Sequence, residues 1–117
     1  MKSILVVDDE KPMRRIYKEA LEMEGYTVLE AEDAIQANEV LKKASPDIVL
    51  LDLVLPGVDG STMYDVISMF HKRVKVIVNS VFPVEEQKNY VTGAAGYNDK
   101  GEGVEVLIHM IRDLLRE

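Results

Sequence analysis

Short uninterrupted runs of β-branched and aliphatic residues alternate along this chain with segments of helical period, and that alternation restricts the fold more than any other feature. The clear runs are Ile4 to Val7, Ile48 to Leu51 and Val76 to Val78, with weaker ones at Tyr26 to Leu29 and Gly96 to Asp99. A strand that is apolar at successive positions, rather than at alternate ones, needs cover on both faces, as in a parallel sheet. Between the runs lie Met13, Ile16, Tyr17, Ala20 and Leu21, then Ala34, Ala37, Val40, Leu41 and Ala44, then Met63, Val66, Ile67 and Phe70. A last set runs through Val104, Leu107, Ile108, Ile111, Leu114 and Leu115. Spacings of i, i+3, i+4, i+7 put one apolar stripe on each helix. Pro12 and Pro83 stand where first helical turns begin, and Asp59-Gly60-Ser61 offers capping groups before the third helix.

The order βαβαβαβαβα with right-handed crossovers predicts an α/β, flavodoxin-like architecture: a doubly wound five-stranded parallel sheet in the order 2-1-3-4-5 with five helices. A length of 117 residues fits one domain spanning 1–117. Hydrophobic residues at 47% and charged ones at 30% are the proportions of a folded protein and exclude a disordered acidic tail. The chain has no cysteine, which excludes disulfides, thiolate zinc sites and a cysteine nucleophile. The apolar run before Asp8 is too short for a secretion signal or a membrane span, so a cytoplasmic protein with no membrane partner is expected. Fourteen Lys and Arg against 21 Asp and Glu leave a net charge of −7. Such a surface repels phosphate backbones, so no direct nucleic-acid binding by this domain is expected.

In doubly wound sheets the functional crevice lies beyond the carboxyl ends of the strands. The first strand ends in Asp8-Asp9, the third in Asp52, the fourth in Asn79-Ser80 and the fifth in Asp99-Lys100. Strands one and three are neighbours in the expected order, so three carboxylates distant in sequence converge. Close carboxylates repel and are normally tolerated where a cation compensates, and carboxylate oxygens are what Mg2+ prefers. Either acidic feature alone would be read as a helix cap or a turn residue; together, with a serine and a lysine at adjacent strand ends, they point to a site.

These residues carry a resemblance. LVVDDE, DIVLLDLVLPGVDG, VIVNSV and GAAGYNDK make the chain, over essentially its whole length, resemble a receiver domain of bacterial two-component response regulators. The resemblance implies that Asp52 accepts a phosphoryl group from a sensor histidine kinase or a histidine phosphotransfer protein. It further implies that Asp9 binds Mg2+ directly, with Asp8 acting largely through water, Asp52 itself as a ligand and the carbonyl of Val54 as the backbone ligand. Lys100 would neutralise phosphoryl oxygens, Ser80 would be the switch hydroxyl, and Tyr97 the aromatic that moves behind it. The fourth helix, around Val84 to Thr92, has few apolar anchors, mainly Val84 and Val91, and is expected to be weakly docked and able to move.

The chain also departs from the family pattern. Gly101 follows Lys100 where proline is usual, which leaves the lysine loop freer; Val81 follows the switch hydroxyl where alanine or glycine is usual; Asn98 and Asp99 replace apolar residues of strand five. Other readings are a receiver-like docking module without phosphorylation and a Mg-dependent aspartyl-phosphate phosphatase, which places Asp-x-Asp after strand one. A flavin or nucleotide binder needs a Gly/Ser/Thr-rich loop where this chain has Asp8-Asp9-Glu10. Output is expected through a downstream protein or through an effector domain beyond this chain.

Overall fold

The strands richest in apolar residues lie at the centre of the sheet, where both faces are covered. The computed structural model describes residues 1–116, and among these the elements alternate as β1 (Ser3–Val7), α1 (Lys11–Met23), β2 (Thr27–Ala31), α2 (Ala34–Lys43), β3 (Ile48–Leu51), α3 (Gly60–Phe70), β4 (Lys75–Ser80), α4 (Val84–Tyr90), β5 (Gly96–Asp99) and α5 (Val104–Leu115). A 3-10 turn at Lys100–Glu102 links β5 to α5. The sheet is parallel throughout, in the order β2-β1-β3-β4-β5, as the alternation predicts.

Burial on two faces explains the unbroken apolar runs. Leu5, Val7, Val49 and Leu51 pack with Ala37, Leu41, Met63 and Ile67 of α2 and α3, while Ile4, Val6, Leu50 and Ile77 pack with Tyr17, Leu21, Leu107 and Ile111 of α1 and α5. A smaller cluster of Leu53, Val78 and Val91 lies under α4. Register then fixes the level of the strand ends. Val7 pairs with Leu51, so Asp8 and Asp52, the next residue of each strand, leave the sheet side by side. The Asp52 N–H donates to the Val7 carbonyl at 3.1 Å, and the Asp8 N–H to the Ala31 carbonyl at 3.1 Å.

Three expectations are corrected. On α1 the buried stripe is Arg14, Tyr17 and Leu21, and Ile16 is 51% exposed, because Arg14 finds hydrogen-bond partners under the helix and takes the inward place. Phe70, in the last turn of α3, is 71% exposed because the helix ends beyond the sheet's cover. The fourth helix ends at Tyr90 rather than near Thr92; Val84 is half-buried and Val91, just past its end, is buried, but the most buried residue of the helix is the polar Gln87, which the apolar pattern passes over.

Asp59 caps α3 by accepting from the Thr62 N–H at 3.0 Å, and the Gly60 N–H donates to the Leu53 carbonyl at 3.0 Å. That bond brings the start of α3 against the chain leaving β3. A Cβ added at Gly60 would overlap the Asp52 carbonyl oxygen and the Leu53 Cα, both backbone atoms that cannot swing aside. Gly60→Ala is therefore expected to lower stability by about 1–3 kcal/mol, read as a shift of the urea midpoint, and to displace the backbone of Asp52.

Candidate functional site

The carboxyl edge of the sheet gathers charge from three loops. Asp8 and Asp52 follow the buried runs Ile4 to Val7 and Ile48 to Leu51 and are buried themselves, whereas Asp9, one residue further along, is exposed. One carboxylate oxygen from each of Asp8, Asp9 and Asp52 lies within 4.8 Å of the others. Lys100 reaches across from the end of β5. Its Nζ is 2.7 Å from Asp8 Oδ2 and 2.7 Å from Asp52 Oδ2, with Glu10 Oε1 at 3.8 Å. The Lys100, Asp8 and Asp52 side chains are only 5%, 2% and 6% exposed, so these ion pairs are little screened by solvent.

Each remaining carboxylate oxygen has a backbone donor: the Val54 N–H to Asp52 Oδ1 at 3.1 Å, and the Glu10 N–H to Asp8 Oδ1 at 2.9 Å. Both bonds run two residues forward and hold the carboxylates in compact turns. Arg14 supports the same loop by donating to the Asp8 carbonyl at 2.6 Å while its Nε donates to Glu30 at 3.2 Å. The freer lysine loop expected from Gly101 is tied in another way. Asp99 Oδ1 accepts from the Gly101 N–H at 2.8 Å and shapes the 3-10 turn in which Lys100 sits.

Two carboxylates and one ammonium in a partly desolvated crevice are not balanced. Burial holds the Asp52 carboxyl above its ordinary value of 3.8, and Asp8 adds to the rise, against the hydrogen bond and charge of Lys100 and the Val54 N–H. Burial alone would pull the Lys100 ammonium down, but the bonds and charges of Asp52 and Asp8 outweigh it and leave it above 10.5. The donor set, hard carboxylate oxygens beside water-accessible Asp9, fits Mg2+.

Ser80 and Tyr97 lie on the side of the sheet that faces α4. Ser80 is fully buried and its Oγ accepts from the Phe82 N–H at 3.3 Å. The Tyr97 hydroxyl donates to the Val91 carbonyl at 2.7 Å and accepts from the Ala94 N–H at 3.2 Å, and Lys88 Nζ stands 5.8 Å from its ring centre. Val54 is half exposed beside the crevice, and the Phe82 ring stacks on Tyr90 at 5.6 Å. Sequence reasoning missed Arg14 and Gln87 as parts of this region, and it placed Asn79 and Asn98 at neighbouring strand ends without pairing them. Asn79 and Asn98 are register partners, and the Asn98 side-chain amide donates to Asn79 Oδ1 at 2.8 Å; two asparagines at the ends of neighbouring strands were the available signal. Tyr17, on the same face, has its hydroxyl pushed up by burial against the favourable influence of Asn79 and Lys100.

The profile of the response regulator receiver domain matches residues 4–112. The chain belongs to that family. It is 34% identical over 116 residues to the chemotaxis protein CheY of Halobacterium salinarum, covering 97% of each chain. It is 52% identical over 59 residues to the phosphate regulon transcriptional regulatory protein PhoB of Pseudomonas aeruginosa, a stretch that is 50% of this chain and 26% of that protein. The alignment with the sporulation initiation phosphotransferase F of Bacillus subtilis covers 64% of that protein, so two of these curated relatives are matched over less than two thirds of their length. Among solved structures, the response regulator TrrA of Thermotoga maritima in complex with Mg2+-BeF superposes with a TM-score of 0.90 at 31% identity, over 98% of this chain and 100% of that one. TrrA has also been solved in complex with the histidine kinase ThkA, again with a TM-score of 0.90. No helix among the described residues is long and apolar enough to cross a membrane.

The raised Asp52 carboxyl sets the sign of a pH effect. The folded chain holds that proton to higher pH than the unfolded chain, so the contribution of Asp52 to stability falls as pH rises from 3.8 through the folded value. In EDTA, thermal melting of parent and Asp52→Asn is expected to diverge over that interval, the parent losing more melting temperature; parallel profiles would show that Asp52 is not strained.

Proposed function

We propose that residues 1–117 act as one receiver domain in which Asp52 accepts a phosphoryl group from a histidine kinase or histidine phosphotransfer protein, in a Mg2+-dependent reaction, and passes the change to the α4 face. The observation that carries the reading is the grouping of Asp8, Asp9 and Asp52 with Lys100 held 2.7 Å from Asp52 Oδ2. The likeness to TrrA, solved with Mg2+-BeF and with a histidine kinase, supports it.

The chemistry needs an oxygen nucleophile in line with a phosphorus atom and cations for the charge on the phosphoryl oxygens. Asp52 supplies the nucleophile: a carboxylate oxygen bonds to phosphorus, the bond from phosphorus to the donor breaks, and the donor leaves with the electron pair and takes up a proton. Asp9 and Asp8, with Asp52 and the Val54 carbonyl, would hold Mg2+, which supplies Lewis-acid neutralisation of the phosphoryl oxygens when bound. Lys100 is already drawn to Asp52 and supplies the second positive charge. Ser80, one donor hydroxyl at the end of the neighbouring strand, gains an acceptor when the phosphoryl group arrives, and Tyr97 follows it through the contacts at Val91 and Ala94. A group transferred once to one side chain makes this a phosphoacceptor regulator rather than an enzyme with turnover.

Incubation with acetyl phosphate and Mg2+ is expected to add one phosphoryl mass, absent in Asp52→Asn, in EDTA and in folded Asp9→Ala. An adduct that persists in Asp52→Asn overturns the assignment. No adduct under any condition favours a docking module, and multiple turnover of p-nitrophenyl phosphate favours a phosphatase.

The lifetime of the phosphoryl group rests on Val54 and Phe82, two residues beyond the acceptor and two beyond Ser80. Neither side chain can orient a water by hydrogen bonding, so hydrolysis is expected to be slow. Decay after donor removal should quicken in Val54→Glu and Phe82→Asn; unchanged decay in both would show that these positions do not shield the phosphorus.

A further inference from the structure

The sequence pattern treats Gln87 as one of several polar residues on a solvated helix, yet its side chain is fully buried. Its amide nitrogen donates to the Phe82 carbonyl at 2.7 Å and to the Asn98 carbonyl at 2.8 Å, with the Ser80 carbonyl at 3.5 Å. Two of these carbonyls belong to the segment that joins the end of β4 to α4, and the third belongs to β5. A single side chain on α4 therefore grips the loop that follows the switch serine and the strand that bears Tyr97 and leads into Lys100, with the serine's own carbonyl close by.

Packing alone does not explain the choice of residue. Gln87 Oε1 is buried without a hydrogen-bond partner, a costly state that a methionine of similar shape would avoid. The amide is justified by its N–H groups, which satisfy the Phe82 carbonyl beyond the end of β4 and the Asn98 carbonyl of β5. The surroundings add to the same unit. Phe82 stacks on Tyr90 at the far end of α4, and Tyr97 is tied to Val91 just beyond that helix. Few apolar side chains anchor α4 otherwise, so its position depends on these directed bonds more than on volume filled.

We propose that Gln87 is a positioning residue that couples Ser80 to α4, its buried amide fastening the Ser80–Phe82 backbone and β5 to the helix so that loop and helix move as one unit. The inference rests on the receiver reading above and names the link by which a phosphoryl group on Asp52 reaches the α4 surface. Ser80 turns toward the phosphoryl oxygens; the chain from Ser80 to Phe82 shifts with it; Gln87, bonded to the Phe82 carbonyl with that of Ser80 close by, carries the helix with it. Without the amide, the hydroxyl can still turn, but the helix no longer registers the movement.

The test uses beryllofluoride with Mg2+ as a stable phosphoryl mimic on parent and Gln87→Met, with the distant core variant Leu41→Ala as a control for lost stability. Binding is measured by titration calorimetry, and amide hydrogen exchange across Val84–Tyr90 is followed with and without the mimic. Parent and Leu41→Ala should bind the mimic and change their exchange over α4. Gln87→Met should bind it with similar affinity while the change over α4 falls by about a factor of two or more. An undiminished response over α4 in Gln87→Met overturns the inference while leaving the receiver reading intact. A parent that binds no beryllofluoride overturns the receiver reading and the coupling with it. If Gln87→Met does not fold, Gln87→Asn, whose shorter side chain cannot reach the Phe82 and Asn98 carbonyls together, is expected to give the same loss of response, and a full response from it overturns the coupling.

Discussion

The buried ammonium of Lys100 between Asp8 and Asp52 is the interaction on which the rest of the carboxyl edge depends. It spans the sheet from the end of β5 to the ends of β1 and β3, and the longer contact to Glu10 joins the same loops. Removing one member of such a group would leave a charge desolvated and unpaired, which is far more costly than never having buried it. Every nearby loop is shaped to support this group. Arg14 braces the Asp8 carbonyl, Val54 and Glu10 donate backbone N–H groups to the carboxylates, and Asp99 turns the chain so that the lysine points inward.

The group also stays incomplete. Three carboxylate oxygens within 4.8 Å face a single ammonium, and burial keeps Asp52 reluctant to ionise. In the proposed function a divalent cation would offset that imbalance, and a phosphoryl group would then meet positive charge on two sides. Strain at a functional edge, held by a rigid apolar sheet, is a common division of labour in proteins that must respond to a ligand. In the proposed function the response travels outward through hydrogen bonds rather than apolar packing, since α4 rests on Gln87, the Tyr97 hydroxyl and a small cluster around Val91.

Much of this was legible in the sequence because period and position are local properties. Unbroken runs such as Ile48 to Leu51 predict strands covered on both faces, and the order of the elements predicts the sheet order, so the residues following the runs are placed at one edge before any coordinate is known. Asp8, Asp9, Asp52, Ser80 and Lys100 were all found in this way. The misread residues share a different character. Ile16 and Phe70 match the apolar period but lie where neighbouring elements do not reach, and Arg14 and Gln87 are polar residues buried because partners await them.

The sequence by itself determined which segments become strands and helices, their winding, and the identity of the residues crowded at the carboxyl edge, because backbone propensity and hydrophobic period act over a few residues. Only the tertiary structure decided how that edge is wired. Hydrogen bonds from Arg14 to the Asp8 carbonyl, from Asn98 to Asn79, and from Gln87 to Phe82 and Asn98 join groups on different elements, at distances of 2.6 to 2.8 Å. Whether a polar side chain is buried depends on an acceptor supplied by another part of the chain at a distance good to tenths of an ångström, and no local pattern encodes that.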